Sequence, residues 1–163
     1  MTALLSHRVV ERAADAANAY HRLILVVGPP RTGKTSALRE LAKEHGWPLV
    51  NVNLELSERL LELTSKRRAL RVARILGEIV DEHPGGVLLL DNTEVLFSTD
   101  LQQDPLRLLQ ALSRNRTVIA CWSGDLDGEN LTYAQAPHPE YRRYPRPEVI
   151  IIEAVPRHEE QSA

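Results

Sequence analysis

The chain has 163 residues, 43% apolar and 26% charged, with 22 acids against 20 bases and a formal net charge of −2. That is the makeup of one folded domain able to bury its own core, and the single thiol, Cys121, excludes a disulfide framework and a cysteine-built zinc site. Without a global positive field, sequence-independent recruitment of nucleic acid is excluded, although a local DNA contact stays open; only Lys34, Lys43 and Lys66 among the bases are lysines.

The N-terminal stretch carries Arg8, Glu11, Arg12 and Asp15 among apolar positions, so it lacks the apolar run of a signal peptide. No run approaches the roughly 18 apolar residues of a membrane span, and the expectation is a cytoplasmic protein without membrane contact. Leu4, Leu5, Val9, Ala13, Ala16, Ala17 and Tyr20 at helical spacing predict a helix over 3–21, an N-terminal unit of residues 1–22. Leu23 to Val27 then reads as a strand buried on both faces. A helix from Gly33 to about His45, a strand Leu49–Leu54 and a helical stretch Ser57 to Glu82 follow. That stretch breaks near Thr64-Ser65, with Leu70, Ala73, Leu76 and Val80 as the apolar phase of its second part.

A strand Val87–Leu90 comes next, and then a helix opened by Asp104-Pro105, where Asp caps and Pro suits the first turn. A strand Thr117–Trp122, a polar Pro-rich stretch 124–147 and a last strand Val149–Ile152 complete the order, before a tail over 154–163. Strands alternating with helices imply right-handed crossovers and a parallel sheet with both faces covered. The expected fold is α/β: a three-layer core over 23–153 with a five-stranded parallel sheet, of the P-loop NTPase type on the strength of the run Gly28 to Thr35 after the first strand.

The first strand runs into Gly28-Pro29-Pro30-Arg31-Thr32-Gly33-Lys34-Thr35, the G-x-x-x-x-G-K-[ST] pattern, followed by Ser36. Backbone N–H groups of such a loop and the following helix N-terminus converge on phosphate. Lys34 meets the β/γ oxygens and the Thr35 hydroxyl holds Mg²⁺. Val87-Leu88-Leu89-Leu90-Asp91 fits a Walker B strand, whose acid orients a magnesium-bound water. Guanine-specific relatives carry Asn-Lys-x-Asp; no Asn-Lys pair exists here, which favours ATP. The Gly-Pro-Pro-x-Thr-Gly-Lys-Thr form resembles the loop of AAA+ ATPases, and the length leaves no room for their C-terminal helical lid. Arg31 stands where those loops have Gly; its side chain either points away or adds a cation near the nucleotide.

The catalytic set is less regular. Asn92 follows Asp91 where such ATPases place a Glu, and an amide orients water without accepting its proton. Hydrolysis is then slow unless Glu94 or a partner's residue substitutes. Ser123, at the end of the fourth strand, stands where a polar γ-phosphate sensor sits; the alternative is a strand-end turn residue. Cys121 and Trp122 read as packing. Arg142 and Arg143 precede the last strand, the place of an arginine finger reaching a neighbouring subunit, and that reading brings a homo-oligomer with it. Their other reading is a solvated basic turn, or a basic surface for a partner. Arg67, Arg71 and Arg74, beside Lys66 and Arg68, make a basic stripe for DNA, for a protein partner or simply for solvent.

Four groups of residues carry a more specific likeness. They are Gly28–Thr35; the run Leu49-Val50-Asn51-Val52-Asn53-Leu54-Glu55-Leu56-Ser57; the pair Asp91-Asn92 with Asp104-Pro105-Leu106 and Ser113-Arg114-Asn115-Arg116-Thr117; and His138-Pro139-Glu140-Tyr141-Arg142-Arg143-Tyr144. Together they resemble the BrxF family, the small P-loop proteins of type 3 bacteriophage-exclusion (BREX) defence systems. The resemblance implies a bacterial cytoplasmic ATPase acting with other BREX proteins, among them a DNA methyltransferase, a large ATPase, a helicase and an alkaline-phosphatase-like protein. Two other readings stand beside it: a non-hydrolysing nucleotide-dependent adaptor, suggested by Asn92, and a small-molecule P-loop kinase with Arg142, Arg143 and Arg146 as a lid. Against the kinase, Asn51 and Asn53 occupy the second strand where an acid is expected.

Overall fold

The computed structural model describes residues 2–155. The chain order is α1 (Thr2–Ala16), β1 (Leu23–Val27), α2 (Lys34–His45), β2 (Leu49–Asn51), α3 (Val52–Leu60), α4 (Ser65–Asp81) and β3 (Val87–Asp91). Two 3-10 turns (Thr93–Phe97 and Thr99–Leu101), α5 (Pro105–Leu112), β4 (Thr117–Trp122), β5 (Asp125–Asp127), β6 (Asn130–Tyr133), β7 (Arg142–Pro145) and β8 (Ile150–Glu153) follow.

Every residue of β1 and of β4 is buried, which only a central place between two covering layers allows. The five-stranded sheet has the order β2-β3-β4-β1-β8, and all its pairs are parallel. Alternation along the strands divides the core. Leu23, Leu25 and Val27 face α3, α4 and α5 with Leu88, Leu90, Val118, Ala120 and Trp122. The alternate residues Ile24, Val26, Leu89, Ile119 and Cys121 face α1 and α2. This is the expected α/β, three-layer, P-loop type of core with a five-stranded parallel sheet. Among the described residues no helix follows β8.

Several local boundaries differ from the sequence reading, each for a physical reason. The first helix stops at Ala16, and Tyr20 is 76% exposed. The second strand ends at Asn51 rather than Leu54, because the Asn51 side chain accepts the Leu54 N–H at 3.1 Å and so caps α3. The break near Thr64 is present: Thr64 caps α4 by accepting the Arg67 N–H. The buried phase of α4, however, is Val72, Leu76, Ile79 and Val80, while Leu70 is 76% exposed and Ala73 lies outward. Of the tail expected over 154–163, residues 156–163 lie outside the described residues.

The largest departure is the stretch 124–147, expected as irregular. It contains a second, antiparallel sheet of order β5-β6-β7. Trp122 at the end of β4 fastens this sheet to the core. Its indole N–H donates to the Thr132 carbonyl at 2.9 Å, and its ring meets Phe97, Tyr133 and Tyr144 edge-on. Gly124 permits the close approach, since a Cβ there would lie 2.0 Å from the Thr132 oxygen.

Candidate functional site

Parallel register brings the ends of three strands together at one edge of the sheet. Val27 pairs with Trp122, so Gly28 starts its loop beside Ser123, and the Gly28 N–H donates to the Trp122 carbonyl at 3.1 Å. Leu90 pairs with Ala120, which places Asp91 beside Cys121. A cleft of about 420 Å³ opens there, lined by Pro30, Arg31, Gly33, Lys34, Thr35, Ser36, Asp91, Asn92, Glu94, Ser123 and Tyr133. The carboxyl edge of a parallel sheet is the usual place for a ligand in such folds.

One wall is the loop between β1 and α2. Gly33 precedes α2 with φ of +87°, which an ordinary side chain resists. It offers no side-chain cap, and the first turn of α2 holds no acid. By contrast α3, α4 and α5 all have side-chain caps, from Asn51, Thr64 and Asp104. The open N–H groups and the positive end of the α2 dipole are thus left for an anion.

Lys34 adds a cation at that same end and is only 6% exposed. Its Nζ donates to the carbonyls of Gly28 at 2.7 Å and Pro29 at 2.6 Å, and the Thr32 hydroxyl also donates to the Pro29 carbonyl. Burial lowers the titration of the Lys34 ammonium below its usual value, with Glu94 and Asp91 among the groups that oppose the shift. Gly28, Pro29 and Thr32 therefore shape the loop from behind and do not line the cleft, whereas Pro30, Gly33, Thr35 and Ser36 do. A Cβ on Gly28 would sit 2.8 Å from Thr32 Oγ1 and 2.9 Å from Ala154 Cβ. Arg31 is among the residues lining the cleft, and its φ is +68°.

The opposite wall is acidic. Asp91 is 7% exposed and its Oδ1 accepts the Asn92 N–H at 2.8 Å. Burial and Asp91 push the Cys121 thiol far above its usual range, so Cys121 remains a neutral packing group, as the sequence suggests. Asn92 takes a left-handed conformation, φ +54° and ψ +51°, and the chain turns into a 3-10 helix whose Thr93 hydroxyl donates to the Cys121 carbonyl. That turn brings Glu94 back into the cleft, where its Oε1 accepts the Ser123 hydroxyl at 2.6 Å. Lys34, Thr35, Asp91, Asn92, Glu94 and Ser123 thus share one cavity.

Arg142 and Arg143 do not line it. They lie in strand β7, paired with Tyr133 and Thr132 across the sheet, so of their alternative readings the turn is replaced by a strand. Arg142 donates to the Gln103 carbonyl at 2.7 Å, so its guanidinium holds the small sheet against the loop before α5. Arg143 is exposed and forms no ion pair among the described residues. The basic stripe is also divided: Arg68 donates to the carbonyls of Leu60 and Leu63 at the end of α3, and Arg74 pairs with Glu78. Sequence reading missed Tyr133 altogether. Its signal was the Asp127-Gly128 dipeptide between alternating residues, a hairpin mark overshadowed by the surrounding prolines.

The donors fit a phosphate ligand with a hard cation. Thr35 supplies a hydroxyl and Asp91 a carboxylate oxygen at one cleft. Among the described residues no three or more His, Cys, Asp or Glu side chains cluster to cage a metal alone. A small ion held by one or two protein oxygens together with substrate phosphates needs no such cage.

The chain is 27% identical over 108 residues to the replication factor C large subunit of Nanoarchaeum equitans (strain Kin4-M), covering 64% of this chain and 23% of that protein. It therefore spans about a quarter of that relative's length. A solved structure of C. elegans PCH-2 matches 77% of this chain and 37% of its own, at 21% identity and a TM-score of 0.37. Residues 24–121 match the profile of the ATPase family associated with various cellular activities (AAA), and this span, from β1 through most of β4, includes the loop, Lys34 and Asp91. More than half of the chain is thereby matched, and the chain belongs to the AAA family of ATPases.

Proposed function

We propose that the protein binds ATP with Mg²⁺ in this cleft and hydrolyses it slowly, as a nucleotide-dependent component of a bacterial BREX-type defence system that works by self-assembly or by docking to the other defence proteins. The observation that carries the ATP reading is the end of α2: no side-chain cap, no acid in its first turn, and a buried lysine. The defence setting is supported by the likeness of Gly28–Thr35, Asp91-Asn92 and the segment around Tyr141 to the BrxF family.

On this reading the ammonium of Lys34 exchanges the Gly28 and Pro29 carbonyls for β- and γ-phosphate oxygens. Thr35 and Asp91 hold Mg²⁺, which supplies neutralisation of the phosphates. Asn92 orients water. Glu94 is the acceptor for its proton once Ser123 lets go of the carboxylate, and Ser123 then turns to the terminal phosphate. The hydrogen bond between Ser123 and Glu94 is also the observation that favours the adaptor reading, because a carboxylate so engaged is a poor base. A kinase is disfavoured, since Asn51 is spent as the cap of α3. Arg143, free at the surface, is the residue available to reach a second copy; Arg142 is already bonded within the fold.

Phosphate release from ATP with Mg²⁺ tests the proposal. Wild type is expected to turn over, Glu94→Gln to lose about 10²–10⁴-fold in rate with ATP binding kept, and Lys34→Ala to lose binding. Nucleotide-dependent association with no phosphate release would establish the adaptor instead. Mass in solution with and without ATP and Mg²⁺ tests assembly: a monomer under both conditions rules out self-assembly and the Arg143 finger together.

A further inference from the structure

The nucleotide cleft has one wall residue that belongs to neither the loop nor the strand ends. Tyr133, on β6, lines the same cleft as Lys34, Asp91, Glu94 and Ser123. Its ring is firmly placed. It stacks on Phe97 with centroids 3.5 Å apart and planes at 14°, and it meets Trp122 edge-on at 6.4 Å. The backbone behind it is pinned by the Trp122 indole on the Thr132 carbonyl and by the approach that Gly124 permits. Across the sheet its partner Arg142 is anchored on Gln103.

Two phenols join this aromatic cluster, and they are used differently. The Tyr144 hydroxyl donates to Asp104 Oδ1 at 2.7 Å and so serves the fold. The Tyr133 hydroxyl has no hydrogen-bond partner among the described residues. Burial, with the carboxylates of Glu140 and Glu94 nearby, pushes its ionisation up to about 12, so at neutral pH it is a protonated donor. Tyr133 is half-buried in a cleft suited to phosphate, and its hydroxyl is a donor that the fold itself does not use.

We propose that Tyr133 donates a hydrogen bond to the terminal phosphate of the bound nucleoside triphosphate, so that the β5-β6-β7 sheet distinguishes triphosphate from diphosphate. The inference rests on the reading of the cleft as an ATP site. Tyr133 lines the cleft together with Ser123 and Glu94, the residues which that reading sets at the third phosphate, and the Glu94 carboxylate acts on its phenol. Because β6 also carries the Thr132 carbonyl held by Trp122, loss of that phosphate is felt in the small sheet.

The variant Tyr133→Phe keeps the stack on Phe97 and deletes only the hydroxyl. Calorimetric titration with ATP and with ADP, both with Mg²⁺, is expected to show ATP affinity down about tenfold and ADP affinity unchanged within about twofold. Tyr144→Phe, which alters the same cluster, should lower the melting temperature and leave the ATP-to-ADP ratio alone. A Tyr133→Phe protein with an unchanged ratio, whether both affinities hold or both fall together, overturns the proposal while ATP binding that depends on Lys34 keeps the parent reading. Wild type that binds neither nucleotide overturns both.

Discussion

Two helices begin at the same edge of the sheet region and begin in opposite ways. At α5 the Asp104 carboxylate accepts the N–H groups of Leu106 and Arg107 at 3.1 and 3.3 Å, Pro105 occupies the first turn, and Tyr144 donates to the same oxygen. At α2 a glycine precedes the helix with no side-chain cap, and the first residue is a buried lysine at the positive end of the dipole. One end is closed and serves stability. The other carries local costs that a bound anion relieves, which is how a binding site differs from a structural joint.

Closing α2 in the manner of α5 should give the largest effect. Ser36→Glu puts an acid into the first turn of α2; it is expected to stabilise the free protein by about 0.3–1 kcal/mol and to lower ATP affinity at least about tenfold. Denaturant melts and nucleotide titration of the one variant read both signs. Opening α5 is the converse. Asp104→Ala should cost about 1–2 kcal/mol, because the cap goes and Tyr144 loses its acceptor, with nucleotide affinity unchanged.

Smaller effects follow at the seam between the two regions. Arg142→Ala should cost about 1 kcal/mol through the lost Gln103 contact and leave ATP turnover intact, whereas Arg143→Ala should not change stability. The two phenols give a pH signature. Both ionise above their unfolded value of roughly 10, Tyr133 at about 12 and Tyr144 higher, each raised first by burial. Their contribution is therefore complete below about pH 10 and is lost as pH rises through the folded values. Stability measured by urea melts should decline above about pH 10, and Tyr144→Phe should flatten that decline.

The loop, both central strands and the capped start of α5 were legible in the sequence because each has a short-range cause: a continuous apolar run, a glycine where φ is positive, an Asp-Pro pair. The end of β2 was not, since Val52-Asn53-Leu54 alternates like a strand and only the Asn51 cap turns it into helix. The face of α4 was legible in its second half, where Leu76 and Val80 are buried, and misread in its first, where Leu70 is apolar and yet exposed. The cleft itself was partly legible. Lys34, Thr35 and Asp91 follow from spacing, but that Glu94 returns to the cleft depends on the left-handed Asn92, and that Tyr133 enters it depends on pairings from Trp122 to Thr132 that no local pattern announces.

The account stands most directly on the open end of α2 being a triphosphate site. Titrating ATP with Mg²⁺ into wild type and into Lys34→Ala tests it: binding by wild type and a loss of about 10²-fold or more in a variant that still melts cooperatively are the predicted result. Equal affinity in the two proteins would contradict it.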